Sequence, residues 1–151
     1  MVNSSQRNPA EDAKLATNKQ IMVTLIHATA VGLSEVLIKY PSEAERTEFI
    51  RTYIEKIAFF PDQSGYLYVY DFNGLNIGIP HFKDLEGKNQ IDLKDSKGTY
   101  IIRELSAVAK NGGGFVEFYR PKPGSTEEHK KLGYAEPIPG TNYFIGTGVY
   151  I

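Results

Sequence analysis

GYLYVYD, residues 65–71, is the stretch whose reading decides the fold. Alternate residues of an extended strand point to opposite sides of a sheet, so Tyr66, Tyr68 and Tyr70 fall on one face and Leu67 and Val69 on the other. The turn FNG and the run LNIGI (75–79) follow, and Asn73-Gly74 accept positive φ, so the whole stretch reads as a β-hairpin. Downstream, FVEFYR (115–120), KLGYAEP (131–137) and YFIGTGVYI (143–151) are predicted as three further strands, separated by PKPGSTEEH and the corner IPGTN. The polar, turn-rich segment 81–97 is expected to wrap over the sheet as a long functional loop. A short amphipathic helix is predicted at about 99–110 and is ended by NGGG.

Upstream the period changes. Leu15, Met22, Ile26, Ala30, Leu33, Leu37 and Tyr40 recur at spacings of seven, four, four, three, four and three, which is a helix stripe. A continuous helix there has about 30 residues and is roughly 45 Å long, more than one small domain needs for its own core. Dimerisation or signal transmission would use the surplus. The helix ends at Pro41, and SEAE (42–45) reads as a capping box that opens a second helix reaching about residue 58. The predicted fold class is therefore α+β: a five-stranded antiparallel sheet with a long N-terminal helix (10–40) and a second helix (42–58) packed on it, the sheet occupying 65–151. With 151 residues the chain is one domain. Residues 1–9 are expected to be a disordered N-terminus or a cloning remnant.

Composition excludes several function classes. A formal charge of −1 provides no field to concentrate on phosphate backbones or acidic lipid, so no nucleic-acid partner is expected. There are no cysteines, which removes disulfides, thiolate catalysis and Cys-ligated metals. The stretch 21–38 is broken by Thr24, His27, Thr29, Ser34 and Glu35 and reads as too polar to cross a bilayer. Membrane contact is expected only through flanking segments absent from this chain. HExxH, GxSxG and the Walker loop are missing, and the three histidines are scattered at 27, 81 and 129. No enzyme, metal site or cofactor is expected. The ten tyrosines and eight phenylalanines, with no tryptophan, suit a pocket as well as a core.

The three tyrosines of the first strand are either amphipathic packing residues or the wall of a pocket, since buried hydroxyls each need a partner. Lys131, at the start of a predicted strand, stands near Tyr134 and near Tyr119 of the preceding strand, so an ammonium and two phenols could converge on an anion. The competing reading of Lys131 is a solvated strand end beside Lys130. His81, after Pro80, either donates to an anion or sits in a solvated loop. Arg120 falls in a segment where a residue facing a ligand is plausible, and otherwise forms a surface or ion-pair group.

GYLYVYDFNG, GKNQIDLKDSKGTYIIREL, GGGFVEFYRPKPG and LGYAEPIPGTNYFIGTGVYI together resemble the single Cache domain of bacterial chemoreceptors and sensor kinases, over residues 65–151 with spacing intact. The first 60 residues match in layout only. The resemblance implies a PAS-like sheet, a long N-terminal helix continuing from a membrane segment, an extracytoplasmic location, pairing through that helix into a homodimer, and small ligands, often short organic acids. By position it implies ligand contacts at Tyr68, Tyr119, Lys131 and Tyr134. Many acid-binding members carry His immediately before the proline of the second hairpin strand, where this chain has Ile79, with His81 after Pro80. One residue of shift turns a strand side chain to the opposite face. Arg120 stands where Trp is common. The resulting expectation is a sensor domain that binds a small organic acid anion and passes a conformational signal. The alternatives are a free-standing periplasmic binding protein and an interaction module whose pocket is filled by its own side chains.

Overall fold

Helix α1 (Pro9–Leu37) begins where its first residues supply their own cap. The Asn8 side chain accepts from the Glu11 amide, the Glu11 carboxylate accepts from the Asn8 amide, and Pro9 occupies the first turn, where its missing N–H costs nothing. The computed structural model describes residues 7–151, so the expected disordered leader falls largely on residues 1–6, outside the described residues. Asn8 and Pro9, placed in that leader by the sequence, instead start the helix. A second capping box, Ser42 with Glu45, opens α2 (Glu43–Glu55). Both helices stop about three residues short of their predicted ends.

The strands are β1 (Tyr68–Asp71), β2 (Asn76–Gly78), β3 (Gly114–Pro121), β4 (Glu128–Pro137) and β5 (Tyr143–Tyr150), and α3 (Ile101–Lys110) precedes β3. All neighbours pair antiparallel in the order β2-β1-β5-β4-β3, which puts the last strand in the centre of the sheet. The loop after β2 lies along the hairpin it leaves, with the Asn76 amide donating to Lys88 O and the Gln90 amide to Gly74 O. It contains one turn of 3₁₀ helix, Lys83–Leu85.

Strand alternation splits the interior in two. Leu67, Val69, Leu132, Tyr134 and Ile145 face α1, whose Met22, Ile26, Ala30, Leu33 and Leu37 are buried against them. Tyr66, Tyr68, Tyr70, Phe118, Ala135 and Phe144 face the other way, under Ile101, Ile102, Leu105 and Ala109 of α3. The alternation read for residues 66–70 therefore holds, while β1 begins two residues later than predicted and β2 is one residue shorter at each end. One expectation does not: by length and composition α1 is apolar enough to cross a membrane, with mean hydropathy 1.4 over its best 18-residue window, despite the five polar residues. Its buried stripe is committed to the sheet in this fold.

Candidate ligand-binding site

Lys131 is the fourth residue of β4, inside the sheet rather than at a solvated strand end, because β4 begins at Glu128. It pairs with Phe118 on one side and Tyr150 on the other, and it is 3% exposed. Its stem crosses Gly148, where an added Cβ would lie 2.5 Å from Lys131 Cε, so the glycine makes room for the side chain. The ammonium donates to Tyr66 Oη at 3.0 Å and lies 4.5 Å from the centre of the Tyr66 ring and 5.1 Å from that of Tyr150. Among the described residues no carboxylate forms an ion pair with it. Burial and then the charge of Arg120 push its pKa down to about 7, while the two ring faces favour the charged form.

Beside this ammonium is a cavity of about 30 Å³, lined by Tyr66, Tyr68, Tyr70, Phe118, Arg120 and Lys131 with apolar side chains of α3, Ile79 and Leu93. A space of that size admits one or two water molecules. The tyrosine hydroxyls differ in what they have left to offer. Tyr68 donates to Thr147 O at 3.1 Å, and Tyr70 donates to Gln90 Oε1 at 2.7 Å while accepting from Asn76. Tyr66 accepts from Lys131, and its own proton has no acceptor among the described residues; burial pushes its pKa up to about 12, so the proton stays on. The Arg120 side chain likewise makes no hydrogen bond or ion pair among the described residues and lines the same cavity. The free groups are thus all donors: two cations and a phenol, in an otherwise apolar pocket. Such a set fits an anion, since charge-assisted hydrogen bonds would complete all three.

Of the residues singled out from sequence, Lys131 and Tyr68 line the cavity. Tyr119 and Tyr134 do not line it. Tyr134 is three residues from Lys131 and so projects to the opposite face, where it packs on Phe115 and its hydroxyl donates to Glu136 Oε1 at 2.6 Å. Tyr119 pairs with Lys130 and shares that residue's face; its amide donates to Asp95 Oδ2 and Lys97 lies over its ring. His81 is exposed and outside the cavity lining, with its ring edge-on to Tyr66 at 4.9 Å. Tyr66, Tyr70 and Arg120 are the three polar wall residues absent from the set of ligand contacts that the resemblance implied. Parity within one strand would have found Tyr66 and Tyr70, which share the face of Tyr68, whereas Arg120 needs the cross-strand register that sets Phe118 opposite Lys131.

The family described as Single Cache domain 2 matches residues 10–151. The chain belongs to it. This Cache domain is 31% identical over 129 residues to the sensor histidine kinase MctS of Rhizobium johnstonii, covering 84% of this chain and 28% of that protein. It is 27% identical over 131 residues to the methyl-accepting chemotaxis protein CtpM of Pseudomonas aeruginosa, covering 83% and 23%. The chain thus spans about a quarter of the length of these curated relatives. Among solved structures, a methyl-accepting chemotaxis protein of Vibrio parahaemolyticus superposes with TM-score 0.78 at 28% identity, covering 93% of each chain. A Cache chemosensory domain described for carboxylic acid recognition superposes with the same TM-score at 24% identity, covering 95% and 99%. Cache domains of such receptors are ligand-binding sensor modules without catalytic function.

Proposed function

We propose that this Cache domain is the extracytoplasmic sensor region of a transmembrane signalling receptor, a chemoreceptor or histidine kinase, and that it binds a small organic acid anion at Lys131. The observation that carries the reading is a buried ammonium with no acidic partner among the described residues, set beside a cavity whose remaining free groups, Tyr66 and Arg120, are donors. The carboxylic acid recognition described for one neighbour of the same fold supports the ligand class, and the periplasmic sensor domain of another supports the location. Lys131 and Tyr66 hold the carboxylate, and Tyr68 shapes the wall, its hydroxyl being engaged with Thr147. Tyr119, Tyr134 and His81 take no direct part.

The long helix supports a homodimer. On the side of α1 away from the sheet, Ile21, Thr24, Ala28 and Val31 are exposed at spacings of three, four and three, with Ile21 40% and Val31 45% accessible, a seam that a second copy of α1 would cover.

A thermal-shift screen of short carboxylates tests the ligand. Saturation to one hundred times Kd stabilises the folded chain by about 2.7 kcal/mol through mass action, and Lys131→Ala abolishes the shift while leaving the chain folded. No shift with any carboxylate removes the reading.

A further inference from the structure

The cavity has more positive charge than a monocarboxylate can satisfy. Arg120 stands diagonally across the β3–β4 ladder from Lys131, since Phe118 is the direct partner of Lys131 and Arg120 lies two residues further on the same face. Diagonal neighbours on one face stand about 7–8 Å apart, within reach of two long side chains that converge on one cavity. Arg120 is close enough to lower the Lys131 pKa by its charge. Among the described residues no acidic side chain lines the cavity, and the nearby carboxylates are already engaged: Asp95 accepts from the amides of Lys97, Thr99 and Tyr119, Glu117 pairs with Lys130, and Glu128 accepts from the Ser96 amide.

Two occupied states balance these charges. In one, Lys131 gives up its proton and a monoanion pairs with the guanidinium alone. In the other, both groups stay charged and the ligand brings two negative charges. Two aromatic faces, Tyr66 and Tyr150, within cation–π distance of the nitrogen and a carboxylate docked on it act against the burial that lowers its pKa, and so favour the second state. A neutral amine would gain nothing from them.

Resting on the anion-binding reading above, we infer that Arg120 is a specificity-determining residue and that the cavity takes a small dianion, a short dicarboxylate, in preference to a monocarboxylate of the same carbon number. One carboxylate sits on Lys131 and Tyr66, the other on the guanidinium. The empty cavity is smaller than such a ligand, so binding displaces the Arg120 side chain outward along its partly exposed edge, which selects the shortest dianions.

Malonate and propionate form a matched pair of three-carbon acids. Isothermal titration calorimetry of the chain at pH 7.5 and constant ionic strength is expected to give malonate at least tenfold tighter binding than propionate. Arg120→Gln should reduce that ratio to below about threefold by weakening malonate alone, and Arg120→Lys should preserve the preference. Equal or tighter binding of propionate by the unaltered chain overturns the inference while leaving the monocarboxylate site standing, as does an unchanged ratio in Arg120→Gln. Binding of neither acid, nor of acetate or oxalate, instead removes the anion-binding reading on which it rests.

Discussion

At Lys131 the cost of burying a charge and the use of that charge meet in one side chain. Its proton is held less tightly in the folded chain, at about 7, than at the ordinary value of 10.5. Between those values the unfolded chain binds more protons than the folded one, so stability rises with pH across that window. Below pH 7 both states are charged and the full burial penalty applies. Lys131→Met, which keeps the length of the stem and removes the charge, should stabilise the ligand-free chain at pH 6 by a few kcal/mol. The difference should shrink as pH approaches 10. Denaturant titrations of both proteins across that range check this; a gap that does not change with pH would count against a buried ammonium. The same residue shows how far sequence carried. Alternation within one strand sorted Tyr66, Tyr68 and Tyr70 from Leu67 and Val69 correctly, because it depends only on neighbours along the chain. That Lys131 is flanked by Phe118 and Tyr150 depends on cross-strand register, which the pattern of a single strand does not contain.

Element boundaries follow local chemistry, and pairing does not. Asn8 with Glu11 and Ser42 with Glu45 are capping boxes, and only the second was read from the sequence. The central place of β5 is set by its pairing with β1 at the start of the sheet region, Tyr68 opposite Gly146, as well as with β4, Lys131 opposite Tyr150, and the first of these is beyond the reach of any local motif. Gly146 shows the cost of that closeness, since an added Cβ would lie 2.5 Å from the Tyr68 ring. Helix α1 serves two surfaces at once. On the sheet side Ile26 is fully buried, and Ile26→Ala should destabilise the chain by about 2–5 kcal/mol with the secondary structure retained, as read by chemical denaturation and circular dichroism. On the other side, Val31→Glu should leave stability within about 0.5 kcal/mol and convert a dimer to a monomer in light scattering after size-exclusion chromatography. A chain that is monomeric at all concentrations before substitution would contradict the paired-helix proposal.

For the whole molecule, the two faces of the sheet divide the work. The face with the cavity carries Lys131, Tyr66, Tyr68 and Arg120 under α3, and the other face carries α1. Strand β4 takes part in both, with Lys131 on one side and Glu136 on the other. Glu136 accepts from Tyr134 at 2.6 Å and stands 3.0 Å from His27 Nδ1 of α1, so a shift of β4 on anion binding has a polar connection to the long helix as well as an apolar one. Every step of that scheme starts from an anion docked on the buried ammonium. The most direct test is a crystal structure of the chain grown with a saturating short carboxylate. The expected result places a carboxylate oxygen about 2.7–2.9 Å from Lys131 Nζ, with the Tyr66 hydroxyl donating to the same group. A structure in which Lys131 points into solvent, or in which the acid occupies another part of the surface while this cavity stays closed, would contradict it.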